Sequence, residues 1–320
     1  MAEIGKDINK AKQLLERGDL VAIPTETVYG LAGNALDEKA VTAIFKVKNR
    51  PAFDPLIIHV PSLQKAGQYV HKIPEKASAL ANAFWPGPIT LLLEKKNIIP
   101  DLVTSGLPTV GIRCPDHPLT HQLLEELSFP LAAPSANPFG YISPTTPAHV
   151  HNQLGSKIPY ILDGGACGIG IESTIIGFDD EGGIIFRTGG LKIEDIEQVI
   201  GKVRIHANTS SNPNSPGQLK SHYAPRKKLL IGNVNELISQ NESKNIGILS
   251  FQNEYNIPTQ IILSPSGDLE EAARNLFSAL RKLDEAPVDV ILAEYVPDTG
   301  LGRAINDRLK RAAFASPAEA

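Results

Sequence analysis

The chain breaks its apolar residues into short runs, and that pattern constrains its fold more than any other feature. LVAIP (20–24), PLIIHV (55–60), ITLLLE (89–94), TVGIR (109–113), PLAAP (130–134), PYILDG (159–164), STIIGF (173–178) and GIIFR (183–187) are each too short and too β-branched for a buried helix. Each reads as a strand closed by proline, glycine or a polar residue. Amphipathic segments at 7–17, at 37–48 behind an Asp37 N-cap, and near 75–84, 117–127, 146–154 and 192–200 read as helices between them. So many strands mixed with helices predict an α/β unit around a large, twisted, partly antiparallel sheet. At 206–218 the sequence HANTSSNPNSPGQ loses all periodicity and reads as a linker. The alternation then restarts with strands KLLIG (228–232), NIGILSF (245–251), QIILS (260–264) and VDVILAEY (288–295) and helices at 268–283 and 303–314. That is the rhythm of a second, smaller, doubly wound α/β unit. No internal repeat is present.

A length of 320 residues suits about two domains. Net charge is −4, so any anion site must come from a local cluster of cations rather than bulk charge. Cys114 and Cys167 have no metal or CxxC spacing and read as reduced apolar fillers. MAEIGKDINK lacks the apolar stretch of a signal peptide and no run is long enough to span a bilayer, so the expectation is a cytoplasmic protein. GxxxxGK[ST], GxGxxG and HExxH are absent.

Strand ends are where open α/β sheets bind ligands, and several here are polar. Lys48 and Arg50 lie at the end of a helix; they complement its dipole, or they face a ligand. Arg113 and Arg187 end strands. Ser135 and Asn137 of PSAN stand at a strand exit, where spacing alone favours a side-chain-stabilised turn over a phosphate loop. Thr25, Glu26 and Thr27 raise the same choice between an N-cap and a polar site, and so does ESTI (172–175). His59 lies inside an apolar strand, the usual setting of a hydrogen-bonded core histidine. Together these residues predict an anion-binding cleft.

Taken in order, IPTETVYGL, KNRP, PLIIHV, WPGPITLLL, TVGIRCP, AAPSAN and ESTII resemble the Sua5/YciO/YrdC family over residues 8–204, with its Lys-x-Arg (48–50) and Ser-x-Asn (135–137) signature. SPGQLKSHYAP (215–225) and GLGRAINDRLKRAA (300–313) resemble the longer, Sua5-type members. The resemblance implies a YrdC-like domain with a concave cleft over 1–204, a linker over the active site at 205–227, and a Rossmann-like Sua5 domain over 228–320. It also implies synthesis of threonylcarbamoyl-adenylate and pyrophosphate from L-threonine, bicarbonate or CO2, and ATP with Mg2+. Other proteins then complete the t6A modification of tRNA.

On that resemblance Lys48 and Arg50 are the catalytic cations at the triphosphate, and Ser135, Asn137, Ser143, Arg187, Thr109 and Tyr223 contact ATP, with Tyr223 as a lid. Asp54, where relatives commonly carry Asn, stands beside the phosphates and either repels them or holds Mg2+ through water. Thr25, His59, Arg113 and Ser173 surround threonine. No dedicated Mg2+ ligand is identifiable. The rival expectations are a YrdC-type RNA-binding module, against which the net charge and the lack of an RNP-like motif speak, and a carbamoyltransferase using carbamoyl phosphate.

Overall fold

The structure, a computed structural model, describes residues 1–206 and 221–314. The first sheet contains β1 (Glu3–Gly5), β2 (Val21–Ile23), β3 (Gly30–Asn34), β4 (Ile57–His59), β5 (Ile89–Glu94), β6 (Thr109–Arg113), β7 (Leu131–Ala132), β8 (Tyr160–Leu162), β9 (Thr174–Asp179), β10 (Gly182–Arg187) and β11 (Val203–Ile205). Among the described residues it is an 11-stranded sheet, ordered β1-β8-β2-β3-β7-β4-β6-β5-β9-β10-β11. Pairing is mixed: β4 runs parallel to β6 and β5 to β9, whereas β7 is antiparallel to both β3 and β4. The expected strands and helices are present, most within a residue or two of the sequence reading. Of the linker reading, 207–218 lies outside the described residues.

The sequence reading omits β3, GLAGN, because two glycines and an alanine give it neither polar alternation nor β-branched weight. Tertiary contacts alone make it a strand, between β2 and β7. Edge strands β1 and β11 and the helix Val234–Ser239 are likewise additions.

The second sheet contains β12 (Lys228–Ile231), β13 (Ile246–Ser250), β14 (Thr259–Ile262) and β15 (Val290–Ala293), all parallel in the order β12-β15-β13-β14. Its helices Leu269–Glu285 and Gly302–Ala313 pack a core that continues into the first unit. Val28, Ile142, Ile171 and Tyr223 share one apolar cluster with Phe277, Leu280, Ile305 and Leu309. Polar contacts extend this junction. Tyr141 donates to Asp284 at 2.6 Å, and Arg281 donates to the carbonyls of Ile142 and Ser143. The second unit is therefore seated against the first rather than tethered to it. No helix among the described residues is long and apolar enough to cross a membrane.

Candidate functional site

Asn49 explains why a Lys-x-Arg triplet serves a site. The helix Glu38–Lys48, capped by Asp37 accepting from the Lys39 amide, ends at Asn49 in the left-handed conformation (φ 54°). Asparagine tolerates that region better than most side chains. The reversal lets the Arg50 amide bond back to the Phe45 carbonyl at 2.9 Å, a helix-ending pattern that turns the chain inward. Lys48, 1% exposed, points into the protein and donates to the carbonyls of Ser135 and Asn137. The Lys48 carbonyl in return accepts from the Phe139 amide at 2.7 Å. The two short signatures, about 90 residues apart in the chain, are thus locked to each other.

The other components arrive on strand ends. His59 and Arg113 are register partners at the ends of parallel β4 and β6. Ser135 follows β7 and bridges to Gly30 at the start of β3. Ser173 precedes β9, and Arg187 ends β10. They converge on one cavity lined by Thr25, Arg50, His59, Arg113, Ser135, Glu172, Ser173 and Arg187, together with His222 and Tyr223. With His222 and Tyr223 in place the cavity holds about 60 Å³, well below the roughly 300–1,000 Å³ of ordinary ligand pockets.

The cavity is electropositive. Burial pushes Lys48 well below its ordinary pKa, and neighbouring Arg50 adds to this. Burial also lowers the pKa of Arg50 and of Arg187. Asp54, fully buried, lies 2.9 Å from Arg50 Nη2 in an ion pair, and neither carboxylate oxygen has a hydrogen bond. Burial raises the Asp54 pKa against the pull of Arg50 and Lys48. His59 is driven down to about 3 by burial and then by Arg113, so it is neutral, with Nδ1 unpartnered.

Hydrogen bonds set the directions. Arg113 donates from Nε to Gly87 O at 3.3 Å and from Nη2 to Glu26 Oε1 at 2.5 Å, while Glu26 Oε2 accepts the Asp116 amide at 3.0 Å. Arg187 donates to Ser173 O through Nε and Nη2, and Ser173 Oγ is 2.8 Å from Thr90 Oγ1. Thr25 caps no helix; its hydroxyl donates to Val28 O and accepts the amides of Thr27 and Val28 in a tight turn. Asn137 donates to the carbonyls of Pro138 and Tyr141, and Ser143 donates to Glu172 at 2.6 Å. Lys48, Asp54, Asn137 and Ser143 therefore support the cavity from behind its lining. Thr109 opens β6 opposite Glu94, at the end of the strand away from Arg113, and is not among the residues lining the cavity.

A family profile described as Telomere recombination, that of the Sua5, YciO and YrdC proteins, matches residues 13–189. The chain belongs to the Sua5/YciO/YrdC family. A second profile, described as the C-terminal domain of threonylcarbamoyl-AMP synthase, matches residues 191–314, the arrangement of the longer Sua5 proteins. Two relatives named threonylcarbamoyl-AMP synthase are similar along nearly the whole chain. That of Pyrococcus abyssi is 43% identical, covering 95% of this chain and 93% of its own. That of Bacillus subtilis is 41% identical, covering 96% and 92%. The crystal structure of P. abyssi Sua5 complexed with L-threonine superposes with a TM-score of 0.92 at 41% identity, over 98% of this chain and 97% of that one.

Within this Sua5 architecture, sequence reasoning misses four site residues. Glu26 is visible as one of three oxygen-bearing side chains, but not as the partner of Arg113. Glu172 and His222 stand beside assigned residues in EST and HYAP, and adjacency to those motifs is the signal that could have found them. Arg308 lies within GLGRAINDRLKRAA, but nothing in that stretch points to its partner Glu172, 136 residues away.

Proposed function

We propose that this chain is a threonylcarbamoyl-AMP synthase, converting L-threonine, bicarbonate or CO2, and ATP to threonylcarbamoyl-adenylate and pyrophosphate. The observation that carries the reading is the convergence of Arg50, Arg113 and Arg187 with His59, Ser135 and Ser173 on one enclosed cavity. In this reading 1–204 is the catalytic unit, 205–227 is the linker, which brings His222 and Tyr223 to the cavity, and 228–320 is the C-terminal domain.

The threonine amine adds to CO2 to give a carbamate. A carbamate oxygen attacks the α-phosphorus of ATP, and pyrophosphate leaves. A carbamate reverts to its components in water, so the site must position, enclose and neutralise charge rather than supply a strong acid–base pair. Arg113 takes the threonine carboxylate, beside His59, Thr25 and Ser173. Neutral His59 adds no charge there. Arg50 and Arg187 face the nucleotide's phosphates. Lys48 holds the Ser135–Asn137 turn in shape and lies close enough to Arg50 to feel its charge, so anionic phosphates restore the charge its burial disfavours. Ser135 and Ser143 complete the nucleotide side, with Asn137 fixing the turn.

Mg2+ enters with ATP. Among the described residues no group of three or more His, Cys, Asp or Glu could hold a metal ion. The lone carboxylate that fits is Asp54, whose oxygens lack hydrogen bonds and would take metal-bound waters. Mg2+ would supply neutralisation of phosphate charge. Because His222 and Tyr223 fill the cleft, substrate entry requires them to withdraw, which makes them a lid. The product passes to separate transferase proteins that complete t6A on tRNA. The free, buried thiols of Cys114 and Cys167 suit a cytoplasmic setting.

The test is pyrophosphate release in the presence of ATP, bicarbonate and each amino acid. Release that needs both threonine and bicarbonate is expected, with most of it lost in Lys48→Ala and Arg50→Ala. Release without amino-acid dependence, or wild-type turnover in both variants, would refute the reading.

A further inference from the structure

Arg308 is the largest fully buried side chain among the described residues and belongs to the C-terminal domain. It sits on the helix Gly302–Ala313 yet reaches the catalytic unit. Nε donates to Glu172 Oε2 at 3.0 Å, and Glu172, which lines the cavity, accepts the Ser143 hydroxyl through Oε1. The guanidinium also lies 5.2 Å from the centroid of the Tyr223 ring, whose other contacts are a stack on Phe277 at 5.5 Å and an edge contact with His222 at 4.1 Å. The same helix accepts the His222 amide at the Arg311 carbonyl (3.3 Å). Nη1 binds Asp307 at 2.8 Å, whereas Nη2 is buried without a hydrogen bond.

We infer that Arg308 is a positioning residue of the nucleotide site: by pairing with Glu172 and covering Tyr223, it makes the C-terminal domain the part that holds the lid shut. The argument is energetic. Burying a guanidinium is costly unless it is paired and satisfied, and this one keeps an unsatisfied nitrogen. Apolar residues would serve a purely structural junction better. The guanidinium does what they cannot, donating to a carboxylate of one unit while lying over the ring of an aromatic lid. Opening the lid exposes Tyr223 and removes the cover from Arg308 in the same movement, so closure of the cleft and seating of the domain are coupled. Arg308 touches neither the cavity nor a reacting atom and acts through Tyr223 and Glu172.

The inference rests on the proposed reaction only for its kinetic arm. Hydrogen exchange of the full chain is measured at the Ala224 amide, which donates to Gly140 O at 2.8 Å in the closed lid, and at Ile291 and Leu292 in the core of β15. Arg308→Gln is expected to speed exchange at Ala224 by about tenfold with β15 unchanged, and to raise the KM for ATP about tenfold while that for threonine changes little. Arg308→Lys keeps the charge but not the fork, and is expected to recover part of both effects. Wild-type exchange at Ala224 in Arg308→Gln, or equal loss of protection at Ala224 and β15, overturns the inference. If the wild-type chain releases no threonine-dependent pyrophosphate, the reaction assignment falls, while the exchange measurement, which needs no substrate, still decides the role of Arg308.

Discussion

Replacing Arg113 by lysine tests the threonine site by donor arithmetic. A guanidinium has five N–H groups. Among the described residues Arg113 uses one on Gly87 O and one on Glu26, which leaves three for a ligand. A carboxylate can then be held by two parallel bonds. Lysine has three N–H groups on one nitrogen; keeping Glu26 and Gly87 leaves one. The substitution preserves charge, burial and the ion pair, and removes one charge-assisted hydrogen bond to the ligand. Such a bond contributes about 1.5–3 kcal/mol, so threonine should bind roughly 10- to 150-fold more weakly. ATP, placed on the Arg50–Arg187 side, should keep its KM within about threefold. Pyrophosphate release titrated with threonine at saturating ATP and bicarbonate, together with calorimetric titration of threonine, reads both. Unchanged threonine affinity, or equal weakening for both substrates, would show that Arg113 does not hold the carboxylate.

Three further outcomes follow from burial and backbone geometry. His59 has its pKa lowered to about 3, so between pH 6.5 and about 3 the unfolded chain binds a proton that the native chain refuses, and stability falls as pH falls; the loss should reach about 2 kcal/mol at pH 5 in urea unfolding, and His59→Gln should flatten it. Burial pushes the thiols of Cys114 and Cys167 up to about 12, so iodoacetamide should modify them at neutral pH only after denaturation; labelling of the native protein would contradict their burial. At Gly189 an added Cβ would lie 2.3 Å from Glu172 O and 2.4 Å from Ser173 C, both backbone atoms, so Gly189→Ala should displace the Glu172–Ser173 segment and abolish threonine binding; retained binding would show that this loop yields cheaply.

Buried cations held away from water cost stability, and they gather at one place here: Lys48, Arg50 and Arg187 all have their pKa lowered by burial. Such a concentration marks a site prepared for an anion more clearly than any one of its members does. Lys48 shows the difference between a motif and its reason. As text it is the first letter of a triplet; in three dimensions it is the amine that holds the carbonyls of Ser135 and Asn137.

By itself the sequence determined the local elements. β5 and β6 match the periodicity reading residue for residue, as do the Asp37 cap and the helix ending at Lys48, because each depends on neighbours in the chain. It also determined which strand ends are polar, and through the ordered motifs it pointed to the family. The tertiary structure decided what those residues face. GLAGN became a strand only because β2 and β7 flank it, and Thr109 and Arg113, written into one strand, parted to opposite ends of it. Glu26 and Arg308 acquired meaning only from partners 87 and 136 positions away. Propensity and periodicity act over a few residues, whereas a buried charge is fixed by whichever group the fold brings within about 3 Å, and nothing in the neighbouring sequence records that choice.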